Sequence, residues 1–261
     1  MKQISTLILV YISLLIGCVF FLEIMATILS ALFSIEKASD NMFPVTIGSL
    51  TGSLLACYYY VRKGFLTVNR TYLVISSKTY IFPVIVLGVS MFYIDEYLIF
   101  YLSKIIPPQL GSQEVNGTIN IILQFFGVLL IAPFFEEIVF RGVLFKSILP
   151  KLGFLKASII VSVIFGLLHF EPVAMPFMIT GSILYCWVYM RTGNILLTMI
   201  LHLINNSLTA LLVYGNIESD LFFSISTLSQ HLWFASAIVV FAFCLRNIYY
   251  QTKKRGYLEP V

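Results

Sequence analysis

Charged residues are scarce in this sequence. Only 11% of its 261 residues are Asp, Glu, Lys or Arg, whereas soluble proteins carry about 25%. Hydrophobic residues make up 59% of the chain, so its main solvent is lipid and a sizeable soluble domain is excluded. The net charge of +4 is spread over the ends of apolar runs and does not form the basic patch that a nucleic-acid partner requires.

Several common catalytic and structural patterns are also absent. The four cysteines, Cys18, Cys57, Cys186 and Cys244, lie singly in apolar stretches, which excludes a closely spaced metal or redox pair. Neither G-x-S-x-G nor H-E-x-x-H occurs, so the chain lacks these signatures of serine hydrolases and zinc proteases. No internal repeat or low-complexity segment is visible.

Long apolar runs, by contrast, fill most of the chain. A membrane-crossing helix needs about 20 predominantly apolar residues. On this basis we assign eight apolar segments as candidate spans. The fifth segment is short and ends at Glu171-Pro172, because proline disfavours helix at the preceding residue. The predicted segments are 4–33, 43–61, 81–103, 118–145, 157–170, 173–190, 195–214 and 231–249.

The basic residues gather on alternate connections between these segments, which favours a cytoplasmic location for both termini. We therefore predict an all-α polytopic membrane protein with about eight transmembrane helices. Lys37 and Lys104 are exceptions to the pattern. The residues assigned to the cytoplasm are Lys2, Arg62, Lys63, Arg70, Lys78, Lys146, Lys151, Lys156, Arg191, Lys253, Lys254 and Arg255. The opposite loops carry Glu36, Asp40, Glu114, Glu171, Glu218 and Asp220.

Two adjacent acids and an arginine interrupt the fourth apolar segment. Ionisable groups at bilayer depth cost about 2.5–3.5 kcal/mol each, so they are rare and usually functional. Glu137 and Arg141 are four residues apart and share a helix face, with the acid first, which favours an ion pair. Glu136 points about 100° away from its neighbour. This spacing leaves Glu136 as the candidate general base.

Two further polar groups lie in later segments. His169 follows Phe165 by four residues near the outer end of the fifth segment. His202 and Asn206 are four apart and therefore face the same way on the seventh. Taken singly, each group is also compatible with hydrogen bonding between packed helices.

The three groups agree in predicted depth. Glu136 is ten residues from Lys146, His169 is thirteen from Lys156, and His202 is eleven from Arg191. At about 1.5 Å per residue, all three lie roughly 15–20 Å above the cytoplasmic anchors. A carboxylate that takes a proton from water, an imidazole beside it, and His and Asn donors for an oxyanion can together hydrolyse an amide.

These residues form the series E-E-x-x-x-R, F-x-x-x-H and H-x-x-x-N, which resembles the CAAX protease and bacteriocin-processing (CPBP, or ABI) family. That family is related to the CAAX prenyl endoprotease, and the likeness extends over roughly residues 118–214. It implies an eight-helix intramembrane glutamic endopeptidase. Glu136 and His169 would activate water, and His202 and Asn206 would form the oxyanion site. Glu137 and Arg141 would support the first acid.

The resemblance divides the chain into accessory helices at 1–115, a catalytic core at 116–215, and a last helix with a basic tail at 216–261. The small size and the cysteine usage are compatible with a multi-pass protein of a bacterial plasma membrane. The resemblance implies that it processes signal, bacteriocin-like or other membrane peptides. The expected partners are a peptide or membrane-protein substrate and lipid, with no nucleic acid and no cofactor.

Two alternatives remain open. Zinc could bind Glu136, His169 and His202, since two histidines and one carboxylate are an adequate ligand set. The chain could also be a non-catalytic immunity or regulatory scaffold. Asp95 and Glu96 are predicted near the outer membrane interface, and Glu23 has no assigned role.

Overall fold

The computed structural model describes residues 2–33, 43–66, 78–105, 122–123, 125–169, 171–214 and 226–253. These ranges consist of helices and connecting turns, with no β-strand among them, so the predicted all-α class is confirmed. Residues 118–121 of the fourth predicted segment lie outside the described ranges. Several charged loop and tail residues also lie outside the described ranges, namely Glu36, Lys37, Asp40, Arg70, Glu114, Glu218, Asp220, Lys254 and Arg255.

The first three helices follow the predicted apolar segments to within two residues. Helix α1 covers Lys2–Phe33, α2 covers Phe43–Arg62, and α3 covers Ile81–Ser103. A short 3-10 turn, Lys78–Tyr80, precedes α3. Long uninterrupted apolar sequence suffices to set these boundaries, because polar or breaker residues flank each run.

The fourth apolar segment is not a uniform α-helix. A short α-helix, α4 (Ala132–Glu137), lies between two π-helical segments, Gly127–Ile131 and Ile138–Phe145. π-Helical turns are rare and occur frequently at functional sites. Helix α4 therefore ends at the two acids, and the backbone hydrogen bonding changes from α-helical to π-helical on both sides of it.

Helix α5, Lys146–Leu167, contains a sharp break at Gly153. Its φ of 72° and ψ of 171° are outside the helical region, in a part of backbone space that essentially only glycine adopts. The sequence predicted separate segments at 118–145 and 157–170, and the backbone is non-helical at Gly153, between them.

Three helices complete the described chain. They are α6 (Met175–Thr192), α7 (Ile195–Tyr214) and α8 (Thr227–Lys253). Gly193 ends α6 in the left-handed conformation, with a φ of 63°. The Asn194 side-chain oxygen accepts the Leu196 N–H at 3.0 Å and so caps the first turn of α7.

Five of the described helical stretches are long and apolar enough to cross a membrane. Their outer faces carry large apolar side chains such as Phe20 on α1 and Phe243 on α8, which are more than half exposed. Helices α2 and α6 are not among the five, so the count of eight spans stays a prediction. The stretches are Ser5–Leu32, Lys78–Ser103, Leu129–Leu167, Ile195–Leu212 and Thr227–Lys253.

The chain forms two compact units. The first comprises Met1–Val68 and Gly111–Ser147, and the second comprises Asn69–Leu110 and Ile148–Val261. The first unit therefore contains α1, α2 and α4, and the second contains α3, nearly all of α5, and α6 to α8. The predicted functional division at residues 115 and 215 is drawn from the motifs and stays a prediction.

In the first unit, two glycines let α1 and α2 approach closely. A Cβ atom built on Gly48 would lie 2.6 Å from Val19 Cα, and one built on Gly52 would lie 2.6 Å from the Leu14 carbonyl oxygen. The Tyr60 hydroxyl donates a hydrogen bond to the Leu7 carbonyl at 2.7 Å. Small residues at such spacing allow backbone contact between membrane helices.

The second unit has an apolar core between α3, α6, α7 and α8. Close contacts join α3 to its neighbours at two glycines, where Gly88 faces Ile204 of α7 and Gly181 of α6 faces Met91. The buried cluster comprises Tyr80, Val84, Leu87, Met91, Leu184, Tyr185, Val188, Leu197, Leu201, Cys244 and Ile248.

Candidate active site

The acid–arginine cluster lies where α4 meets the second π-helical segment. Glu136 and Glu137 are the last residues of α4, and Arg141 follows in the π-helical segment. The Arg141 Nη1 donates a hydrogen bond to Glu137 Oε1 at 2.8 Å, and both side chains are fully buried. The ion pair predicted from the four-residue spacing is therefore present.

Glu136 has a different environment from its neighbour. It is only partly buried, and it lines a cavity of about 270 Å³ within the first unit. Glu136 is therefore part of the cavity wall, whereas Glu137 is enclosed with Arg141. The two adjacent acids are thus separated into a cavity-facing carboxylate and an enclosed one.

Hydroxyl-bearing residues from two other helices line the same cavity. Tyr11 comes from α1, and Thr46, Ser49 and Ser53 come from α2. Apolar side chains complete the wall, so the cavity is polar on one part of its surface and apolar on the rest. Its remaining lining residues are Leu15, Val45, Gly127, Ile131, Ala132 and Phe135.

Tyr11 is held firmly in this wall. Its side chain is only 5% exposed, and its ring meets the Phe140 ring edge-on with centroids 6.2 Å apart. The Tyr11 hydroxyl interacts with the Ser53 side chain. Helix α1 therefore brings a hydroxyl-bearing residue to the wall of the cavity that the candidate base also lines.

His169 lies in the turn that follows α5 in the second unit. Its Nδ1 is 2.8 Å from the Phe165 carbonyl oxygen, and its ring is 4.6 Å from the Phe165 ring. A carbonyl can only accept a hydrogen bond, so Nδ1 carries the proton in this contact. In the neutral imidazole, Nε2 is then the nitrogen that can accept a proton.

His202 lies on α7 and is 5% exposed. Its ring packs against Phe165, with centroids 5.8 Å apart, and against Tyr185 at 5.6 Å. Phe165 therefore contacts both histidines, which brings His169 and His202 together around one aromatic ring. Asn206 is partly buried one turn further along α7.

The predicted site residues are thus divided between the two units. Glu136, Glu137 and Arg141 belong to the first unit, and His169, His202 and Asn206 belong to the second. Each group is organised within its own unit, by an ion pair in one and by shared aromatic packing in the other. The catalytic roles and the common depth of the groups stay predictions.

The hydroxyl-bearing residues of the cavity wall could not be identified from the sequence motifs. Tyr11 and Ser53 lie in apolar helices without a catalytic motif, and nothing in their own spacing relates them to Glu136. The available signal was Gly48-Ser49-Leu50-Thr51-Gly52, because G-x-x-x-G indicates close approach of a second membrane helix. It would have indicated that α2 packs closely on another helix, without naming Tyr11.

The third histidine, His231 on α8, belongs to an aromatic cluster of the second unit. Its Nδ1 forms a hydrogen bond with the Tyr97 hydroxyl, and its ring also packs against Tyr101. It is solvent- or lipid-exposed. The neighbouring acids Asp95 and Glu96 are partly buried on α3, and their predicted place near the outer interface stays a prediction.

No metal centre is formed inside either unit. Among the described residues of each, no three His, Cys, Asp or Glu side chains are grouped so that they could hold a metal ion. All four cysteines are free thiols, as expected from their isolation. The zinc alternative takes its ligands Glu136, His169 and His202 from both units and stays a prediction.

Comparison with known proteins confirms the resemblance that the motifs indicated. Residues 118–208 match the family described as type II CAAX prenyl endopeptidase Rce1-like. All six predicted site residues lie within this match. No solved structure matches the chain.

Two bacterial relatives share part of the sequence. "Putative membrane peptidase YdiL" of Bacillus subtilis (strain 168) is 29% identical over 83 residues, which are 32% of this chain and 34% of that protein. "UPF0177 protein YxdF" of Lactococcus lactis subsp. lactis (strain IL1403) is 33% identical over 94 residues, 35% of this chain and 51% of that protein. The matched region thus covers about a third of the Bacillus protein and about half of the Lactococcus protein. With the apolar helices, these likenesses confirm the predicted multi-pass bacterial membrane protein.

Proposed function

We propose that the chain is an intramembrane endopeptidase that cleaves peptide or membrane-protein substrates with water activated by Glu136 and His169. The observation that carries this proposal is the separation of two adjacent acids. Glu136 opens onto a cavity with hydroxyl groups in its wall, while Glu137 is neutralised by Arg141. The likeness of residues 118–208 to a peptidase family supports it.

In the proposed reaction, Glu136 takes a proton from water, and the resulting hydroxide attacks the carbonyl carbon of the scissile peptide. The free Nε2 of His169 accepts a hydrogen bond from the same water. His202 and the Asn206 amide donate hydrogen bonds to the oxyanion. The C–N bond then breaks, and the leaving amine takes the proton from Glu136.

Signal, bacteriocin-like or other membrane peptides are the proposed substrate class. The name of YdiL as a membrane peptidase supports cleavage of peptides at a membrane. The bacterial origin of the relatives disfavours a prenylated substrate, although prenyl endopeptidase is the name of the matched family.

The test uses Glu136→Gln, His169→Ala and His202→Ala, with His231→Ala as the matched control. Peptides secreted by, and retained in, cells expressing each variant are compared by mass spectrometry, and cleavage of the identified peptide is then measured with purified protein. We expect each site variant to lose at least about 100-fold in kcat/KM, since a positioned acid or base contributes roughly 10²–10⁴-fold. His231→Ala should keep the wild-type rate, because His231 belongs to the aromatic cluster with Tyr97 and Tyr101 and does not line the cavity beside Glu136.

The same assay separates the alternatives. If all three site variants retain wild-type processing in cells, the protein is a scaffold and not a protease. Treatment of the purified wild type with 1,10-phenanthroline should leave the rate unchanged. A rate that disappears and returns with added zinc would instead support the metal-dependent alternative on Glu136, His169 and His202.

A further inference from the structure

Hydrolysis inside a membrane requires water beside the attacking base. The cavity next to Glu136 measures about 270 Å³. One water molecule occupies about 30 Å³ of the liquid, so the cavity has room for several. It is the volume into which Glu136 opens within the first unit.

The cavity wall also has the chemistry that buried water needs. A buried water is held by about 2–4 hydrogen-bonding partners, whereas a purely apolar cavity stays dry. Five residues that carry such groups line the cavity, namely Glu136, Tyr11, Thr46, Ser49 and Ser53. They come from three separate helical segments, so the polar part of the wall is not confined to one helix.

Tyr11 has the longest of these hydroxyl-bearing side chains, and it lines the cavity together with Glu136. Ser53 of the adjoining helix interacts with the Tyr11 hydroxyl. Its ring cannot swing away easily, because it is buried and packs against Phe140. A hydroxyl held in the wall of the same cavity can orient a water molecule that lies against the carboxylate.

We propose that this cavity holds the hydrolytic water and that Tyr11 is a positioning residue that orients this water on Glu136. Helices α1 and α2 are then part of the proposed active site and not accessory elements. The inference rests on the proposed function, because the water that Tyr11 would orient is the one that Glu136 activates in the proposed reaction. Tyr11 itself exchanges no proton with the substrate.

The first test compares Tyr11→Phe with Tyr60→Phe in purified protein acting on the identified peptide. Tyr11→Phe keeps the ring on Phe140 and removes only the hydroxyl. We expect kcat to fall at least about tenfold with KM unchanged, as part of the roughly 10²–10⁴-fold that positioned acid–base groups contribute. Tyr60→Phe removes an equally buried hydroxyl on the same helix pair, which bonds the Leu7 carbonyl outside the cavity wall. It should lower the melting temperature and leave kcat unchanged.

The second test needs no substrate. Dicyclohexylcarbodiimide reacts with protonated carboxyl groups in apolar surroundings, and mass spectrometry gives its rate of attachment to Glu136. Without the Tyr11 hydroxyl, the water against Glu136 is held less tightly, so the reagent displaces it and reaches the carboxyl group more easily. Tyr11→Phe should therefore be labelled about two- to tenfold faster than the wild type, and Tyr60→Phe at the wild-type rate. If Tyr11→Phe does not fold, Ser53→Ala replaces it, because Ser53 interacts with the Tyr11 hydroxyl.

The outcomes separate this inference from the proposed function. Wild-type kcat or wild-type labelling in Tyr11→Phe overturns the role of Tyr11, and so does an equal loss of kcat in Tyr60→Phe. Full proteolysis by Glu136→Gln overturns the proposed function instead. If the wild type cleaves no peptide, the proposed function also fails, and the labelling rate alone decides whether Tyr11 positions groups on Glu136.

Discussion

Glu136 and Glu137 are neighbours in the chain but meet different surroundings. Successive helical residues point about 100° apart, so one carboxylate reaches the cavity and the other reaches Arg141. Removing a charge from water costs several kcal/mol even after relaxation, and a close partner offsets much of that cost. The enclosed pair is therefore sensitive to loss of either member.

At this scale we predict that Arg141→Met destabilises the protein by about 3–5 kcal/mol, because it removes the positive charge paired with the buried Glu137 carboxylate. The double variant Glu137→Leu with Arg141→Met should be less destabilised than Arg141→Met alone, since two apolar side chains replace the pair. The unfolding free energy in mixed micelles measures both.

Lys156→Met is the control for loss of a positive charge, because Lys156 is exposed on α5. It should have no measurable effect on unfolding. Additive losses in the double variant would show that Glu137 and Arg141 do not depend on each other.

The sequence predicted this ion pair because a helix places residues four apart on one face. It could not predict that Tyr11 lies near Glu136, since 125 residues separate them and only packing of α1 on the fourth apolar segment joins them. The sequence could not predict the contacts of His169 and His202 with Phe165 either, because they depend on how α5 and α7 pack.

Among the elements, glycine decides where helices come close or break. Gly48 and Gly52 allow α2 to approach α1, and that approach forms one wall of the cavity with Tyr11 and Ser53. Gly153 breaks α5, and its positive φ explains why a glycine is found at the break. Each of these glycines is tied to a distinct geometric requirement.

Gly52→Ala should therefore destabilise the protein by about 1–3 kcal/mol, the usual cost of overpacking. The added Cβ would lie 2.6 Å from the Leu14 carbonyl oxygen, so the helices must separate. Thermal unfolding in detergent provides the measurement. Gly17→Ala is the matched control on α1, because its added Cβ would meet nothing within 4 Å. An equal loss in the two variants would contradict close packing at Gly52.

Helix boundaries were largely predictable, since apolar runs and their breaks determine them. The π-helical segments on either side of α4 were not, because a π-turn inserts one residue into a helix without changing its apolar character. The low charge content likewise indicated membrane helices, but length and composition qualify only five described stretches as spans. Helices α2 and α6 contain more hydroxyl-bearing and small residues.

For the whole molecule, the arrangement of basic residues leads us to expect both termini on the cytoplasmic side. A fluorescent protein fused to either terminus should then fluoresce, and alkaline phosphatase fused there should be inactive. Phosphatase inserted between α1 and α2 should be active and serves as the positive control. An active phosphatase at one terminus alone would require an odd number of spans.

The sequence by itself determined the membrane class, the limits of most helices, the pairing of Glu137 with Arg141 and the family resemblance. All of these depend on composition or on spacing within one helix, where geometry is regular. Only the tertiary structure decided that Glu136 opens onto a cavity and that Tyr11, Thr46, Ser49 and Ser53 line it. These residues are brought together by packing between segments distant in sequence, and helical periodicity does not encode that packing.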